Sequence, residues 1–366
     1  MSDPHDQPAL AVEPHPARMS DDDRHAAIAD PGFGRVFTDH MASALWTAER
    51  GWHDAKIMPR GPLSVDPAMS VLHYAQEIFE GMKAYRTEDG AMALFRPGEN
   101  AKRFNASARR MAMPELPEAL FLESVRRLVA TDADWFPGVT GGALYIRPFM
   151  FSSDVRLGVR PASEYRFLVI LSPVGAYFRG DPKAISLWVS RDYVRAAPGG
   201  TGEAKCGGNY AASLVAQAQS IDHGCDQVVF LDAVERKWVE ELGGMNLFFV
   251  MADGTLVTPP LGGTILPGIT RDSLIAIARD EGLSVREERY SIDQWRDDAA
   301  SGALVESFAC GTAAVVTPVG EVRDGDDRFT IGSGGPGQIT ERLRRRLVDI
   351  QYGRAPDQHG WVERIG

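Results

Sequence analysis

Apolar residues in this chain fall into short runs bounded by Gly, Pro, Asp and Asn, and their period switches repeatedly between two and about 3.6. The passage VLHYAQEIFEGMKAYR runs into AYRTEDGAMALFRP, where Asp89-Gly90 between two alternating runs predicts a hairpin. Asn100 opens a helical stretch through Arg110, and Pro117 opens another with Phe121, Val125, Leu128 and Val129 on one face. ALYIRPFMF and YRFLVILSPV, dominated by β-branched and aromatic residues, read as strands. These elements give a first domain over 29–178. The segment RGDPKAI, residues 179–185, combines Gly, Pro and charge and reads as an exposed interdomain linker. Beyond it, ISLWVSRDYVRA predicts a strand and GGTGEAKCGG a loop. From Asn209 a helix follows, placing Ala211, Leu214, Val215, Ala218 and Ile221 toward the core before Gly224 stops it. Two hairpins come next, QVVFLDAVERKWVEEL and NLFFVMADGTLVTPP, then a helix from Thr270 to Glu281 and a closing helix around TERLRRRLVDI. They form a second domain over 186–366. Residues 1–28 show no sustained period and read as a disordered tail. The fold class is α/β, in two domains.

Composition narrows the function. Of 366 residues, 44% are hydrophobic and 24% charged, close to the averages for packed soluble proteins. The net charge of −11 repels phosphate backbones and anionic membranes, so no nucleic-acid partner is expected. No run approaches the roughly 18 apolar residues of a membrane helix, and the N-terminus lacks the basic start and apolar middle of a secretory signal. The three cysteines, Cys206, Cys225 and Cys310, form no CxxC pair, which fits a reducing, cytoplasmic compartment and argues against structural zinc. The eight histidines show no ligand spacing, so no metal is expected.

Two glycine-rich strings fail as nucleotide motifs. GSGGPG at 332–337 contains Pro336 and lacks the βαβ setting of a dinucleotide fingerprint. GGTGEAK at 199–205 has Ala204 where a phosphate loop needs Gly and Cys206 where it needs Ser or Thr. Arg344–Arg346 sit in a helix whose Leu343, Leu347 and Ile350 point inward, so the triplet is a solvated face. Lys205 is different. It lies in GEAKCGGNYAASL, among glycines and just before a helix, where an amine removed from water loses pKa and becomes nucleophilic.

At this point the sequence resembles the branched-chain amino acid aminotransferases, pyridoxal phosphate enzymes of fold type IV. FTDHM, FEGMKAYR, LYIRPFMF, KCGGNYAASL, EELGGMN, LPGITRDSL, FACGTAAV and IQYG carry the likeness, in order, from residue 37 to Gly353. It implies a smaller N-terminal domain, a larger cofactor-binding domain with a barrel-like mixed sheet, a homodimer, and ping-pong transfer of an amino group from Leu, Ile or Val to 2-oxoglutarate. Lys205 becomes the Schiff-base lysine and proton shuttle, and Tyr210 the partner of the cofactor's phenolic oxygen. Glu241 is the partner of the pyridine nitrogen by family register alone, because strand alternation leaves Glu240 equally eligible. For the phosphate the resemblance offers Arg103, the amides of Ile269 and Thr270 at a helix start, and Thr312; Leu266 lies against the ring. For the substrate it offers Phe33, Tyr74, Phe79, Tyr145, Arg147, Tyr177 and Ala313, with Val159 reaching in from the neighbouring subunit. Arg147 is the partner of the glutamate side-chain carboxylate.

Two departures from relatives stand out. Gly244 occupies a position where some carry Thr, and TAAVVT at 312–317 lacks the CxxC pair that mammalian relatives use as redox thiols. A D-amino acid aminotransferase or an aminodeoxychorismate lyase would share the fold and keep Lys205 and Glu241. A non-catalytic vitamin B6-binding protein is the alternative from another class. FEGMKAYR and LYIRPFMF favour the branched-chain group.

Overall fold

The structure, a computed structural model, describes residues 10–139, 141–175 and 183–365. The chain divides into two compact units, Met1–Tyr177 with Asp357–Gly366, and Phe178–Pro356.

The first unit is built on a nine-stranded sheet whose centre is the antiparallel pair Ala143–Ser152 and Glu164–Val174. The Asp89-Gly90 turn joins Met82–Arg86 to Met92–Phe95, with Gly90 at φ 81°, a left-handed value that glycine adopts without penalty. Helices Pro97–Arg110 and Glu118–Thr131 cover the sheet through Phe104 and Phe121, whose rings meet Phe167 of the sheet at 5.6 and 6.1 Å.

Two expectations are corrected here. Residues 10–28, read as disordered, are structured: Leu10 is buried, Ala11–Val12 pairs with Gly51–Pro59, and a helix runs over Asp21–Ala29. Ser20 caps that helix by accepting from the Asp23 amide, with three acidic residues in the first turn. The last residues do not stay with the second domain, because Val362–Ile365 adds to Met92–Phe95 at the edge of the first unit's sheet. Local periodicity cannot see a pairing partner some 270 residues away. The linker expected at 179–185 falls largely outside the described residues, and Ile185 already begins a strand.

In the second unit, strands Val239–Leu242, Gln227–Leu231, Ile185–Ser190, Val315–Asp324, Leu304–Gly311 and Asn246–Met251 pair in that order. The ring then closes, because Glu241 of the first strand pairs with Asn246 of the last. The short strands Leu256–Thr258, Val285–Glu287 and Asp327–Thr330 extend from this ring, and the sheet is mixed, since Ile185–Ser190 runs parallel to both its neighbours. Leu187, Val229, Leu247, Phe249 and Trp295 are among its fully buried core residues.

One more expectation fails. The helix Gly207–Asp222 buries Asn209, Ser213, Ala216 and Ser220. Ala211, Leu214, Val215, Ala218 and Ile221, predicted to face the core, face outward; Leu214 and Ile221 are each 65% exposed. Small residues let this helix lie close on its sheet, so its aliphatic ridge is left on the surface.

Candidate active site

Lys205 is the last residue but one before helix Gly207–Asp222, and the loop that presents it is clamped from within. Asn209 donates to the carbonyls of Thr201 and Ala204, each at 2.8 Å, and accepts from the Thr201 hydroxyl at 2.7 Å. Gly202 is required by packing, since a Cβ there would collide with the Thr264 backbone. One turn into the helix, the Tyr210 hydroxyl accepts from Lys205 Nζ at 2.8 Å. A half-buried amine and a phenol thus share one proton-bearing contact.

Glu240 and Glu241, adjacent on one strand, are separated by the pleat. Glu241 takes the Leu266 amide at 2.8 Å on Oε1, where Arg195 also donates, and Asn246 Nδ2 approaches Oε2 at 3.3 Å. Burial pushes its carboxyl up to about 7, with Arg195 pulling the other way. Glu240 instead accepts from the Thr264 hydroxyl at 2.6 Å and lines a separate cavity.

Asn246 ties the neighbouring loop down. It donates to the Leu266 carbonyl at 3.0 Å, and its Oδ1 fills the space where a Cβ at Gly268 would stand. Gly268 in turn is the N-cap of helix Ile269–Asp280 and provides no side-chain cap, so the amides of Ile269 and Thr270 open the helix with no intrahelical acceptor. Such amides, with the positive end of the helix dipole, suit an anion. Thr312 and Ala313 lie in the turn between Leu304–Gly311 and Val315–Asp324. The turn closes on Val315 at φ 62°, a left-handed conformation that a β-branched residue adopts only under constraint.

The first unit gathers a second group. Arg147 donates to the Tyr145 hydroxyl at 3.2 Å and lies 4.7 Å from the Phe79 ring centroid. Phe33 meets Tyr145 edge to face at 5.0 Å. Arg147 Nε is buried and has no partner among the described residues, a donor that an incoming anion would satisfy. A Cβ at Gly81 of FEGMK would displace the Tyr145 hydroxyl. Lys83, paired across the strands with Tyr145, is pushed down to about 8 by burial. Tyr74 stands apart, donating to the Leu157 carbonyl. Val159 is 84% exposed on a loop. Tyr177 lies outside the described residues.

Arg103 is also in the first unit, its Nε and Nη2 donating to the buried Glu80 carboxylate at 2.7 and 2.9 Å. Glu80 takes Asn100 and the Gly81 amide as well. Sequence reasoning missed Glu80, Arg195, Asn246 and Asn209. Each acts by orienting another site residue; Glu80, Asn209 and Asn246 stood inside FEGMKAYR, KCGGNYAASL and EELGGMN, and Arg195 stood outside any motif.

A family model described as Amino-transferase class IV matches residues 77–322. The chain is 56% identical over 359 residues to the probable branched-chain-amino-acid aminotransferase of Streptomyces coelicolor, covering 98% of this chain and 99% of that one. It is 48% identical over 335 residues to the branched-chain-amino-acid transaminase 1 of Bacillus subtilis, covering 91% and 94%. Among solved structures, the branched-chain amino acid aminotransferase of Escherichia coli superimposes with a TM-score of 0.72 at 30% identity, over 89% of this chain and 100% of that one. The PLP-form of the branched-chain amino acid aminotransferase of Thermobaculum terrenum gives 0.70 at 26%, over 88% and 98%. The fold and the family match together define a class IV aminotransferase. Within that class, the chain belongs to the branched-chain amino acid aminotransferases.

Proposed function

We propose that this enzyme moves the amino group of L-leucine, L-isoleucine or L-valine to 2-oxoglutarate, reversibly and by a ping-pong route, with pyridoxal 5′-phosphate as cofactor. The observation that carries the reading is the pairing of the Lys205 amine with Tyr210, in the same unit as a buried carboxyl, Glu241, that Arg195 and the Leu266 amide hold in place. The donor set fits the cofactor: an amine for its aldehyde carbon, a phenol for its ring oxygen, a dry acid for its pyridine nitrogen and open helix amides for its phosphate. When bound, pyridoxal phosphate supplies the sink for the electron pair left as the substrate Cα–H bond breaks.

The protein does the rest. Lys205 would hold the cofactor and would move the α-proton on Nζ, which lies within reach of Tyr210. Glu241, fixed by Arg195 and the Leu266 amide, would keep the ring nitrogen protonated. Ile269, Thr270 and Thr312 would meet the phosphate. Leu266 walls the ring. Phe33, Phe79 and Tyr145 form the apolar wall for branched side chains, which differ too little in size to be separated strongly by packing. Arg147, with an unpartnered Nε, meets the distal carboxylate of the dicarboxylic substrate.

A cytoplasmic homodimer completes the proposal. The outward ridge of Leu214, Val215 and Ile221 is an apolar face for a second copy, and the loop bearing Val155, Leu157 and Val159, each 59% or more exposed, is the segment that reaches the neighbour's site. The three unpaired, buried cysteines suit a reducing compartment. The test is borohydride reduction followed by peptide mapping. Label is expected on Lys205; label on Lys183 or Lys237, or unimpaired turnover by Lys205→Ala, would overturn the assignment.

A further inference from the structure

On the far side of the Val239–Leu242 strand from Glu241, a cavity of about 250 Å³ lies in the second unit. It is roofed by Pro198, Pro259, Pro260 and Ile265, floored by Glu240, and opens beside Val234, which is 76% exposed. Most polar groups on its wall are already engaged. The Asp232 carboxylate takes the amides of Val234, Glu235, Lys237 and Trp238. Glu235 accepts from the Trp238 indole at 2.9 Å and sits 3.7 Å from Arg289.

Glu240 is the exception. The residue is only 8% exposed, and while Oε1 accepts from Thr264, Oε2 is buried and has no partner among the described residues. A buried carboxyl oxygen without a donor is costly, and natural structures rarely keep one that nothing visits. The group that satisfies it must donate hydrogen bonds, and a cationic donor is favoured because three of the four charged wall residues, Asp232, Glu235 and Glu240 against Arg289, are acidic. The remaining wall is aliphatic, and the volume is below that of a drug-sized pocket, which excludes nucleotides and suits a body of a few carbons.

We propose that this cavity is a second ligand site, taking a small aliphatic ammonium compound whose head meets Glu240 and whose hydrocarbon body lies on the proline and isoleucine wall. α-Amino acids with aliphatic side chains belong to this class, and Arg289 at the rim offers their carboxylate a partner. The site is wired to the other face of the strand. Thr264 gives its hydroxyl to Glu240 and its carbonyl to Arg195, and two residues on Leu266 gives its amide to Glu241. A ligand that fixes Glu240 therefore fixes the segment that holds Glu241.

The probe is isopentylammonium, titrated calorimetrically into the full-length enzyme after borohydride reduction, so that no aldehyde remains to react with an amine. One saturable site per chain is expected, weakened at least about tenfold in Glu240→Gln, which removes the charge while keeping the acceptor for Thr264. Val234→Trp, at an exposed position on the rim, should block it in a protein that melts as the parent does, and 3-methylbutan-1-ol should not compete. L-Leucine measured on parent and Arg289→Ala shows whether an amino acid is the occupant: weaker binding in the variant supports it, and equal binding narrows the class to simple amines. No saturable binding to the parent, or equal affinity for parent and Glu240→Gln, would overturn the proposal; the latter result marks the probe as lodging elsewhere.

Discussion

Arg195 and Glu241 form an ion pair almost wholly out of water, with side chains 5% and 3% exposed. Arg195 also donates to the carbonyls of Gly202 and Thr264, at 2.8 and 3.2 Å, so one guanidinium joins the lysine loop, the Thr264–Leu266 segment and the acid. Removing one member of a buried pair strands the other, at a cost of about 3–5 kcal/mol. Arg195→Ala should therefore lower the unfolding free energy by that amount in urea titrations, while Arg195→Lys recovers part of it. A variant as stable as the parent would show that the pair is idle.

The pH dependence has a defined sign. Burial holds Glu241 at about 7 against an ordinary 4.5, so the folded protein keeps a proton that the unfolded chain loses between those values. Its favourable contribution is complete below about pH 4.5 and fades as pH rises through about 7. Cofactor-stripped parent should thus lose stability relative to Glu241→Gln over that interval, read as the difference between two denaturation series. Parallel profiles would refute the assignment of the proton.

Gly268 and Gly208 make a matched pair of substitutions. At Gly268 a Cβ would displace the Asn246 side chain and with it the donors to Leu266 and Glu241, so Gly268→Ala should cost about 1–3 kcal/mol. At Gly208, inside a helix with nothing within 4 Å of the new methyl, alanine should stabilise by about 0.5–1 kcal/mol. Thermal melts of the two variants check both directions.

Leu214→Glu with Ile221→Glu should convert a dimer to a monomer in size-exclusion chromatography with light scattering, because charge placed on the outward ridge must be desolvated on association. Retention of the dimer would move the interface elsewhere.

Much of this fold is legible locally. The Asp89-Gly90 and Asp253-Gly254 hairpins and the helix with buried Leu343, Leu347 and Ile350 all follow from turn chemistry and period. Period also told correctly that Leu214, Val215 and Ile221 share a face of their helix, yet it cannot say what covers a face, and the sheet lies against the serines instead. The helix at Asp21–Ala29 was readable from Ser20 and the acidic run, but low apolar content outweighed the cap. Of the site, Lys205 and its neighbours were visible because glycines and a helix start mark the backbone there. Arg195 and Glu80 were not, since a buried charge looks like a surface one until its partner is found in three dimensions.

The helix of sixteen residues that starts beside Lys205 carries Tyr210 in its first turn and an uncovered aliphatic ridge along its outer side. In the proposed dimer, a single rigid rod would link self-association to the reacting amine. Turnover per chain should accordingly fall on dilution below the dimer's dissociation constant, making enzyme concentration itself a variable in any comparison of rates.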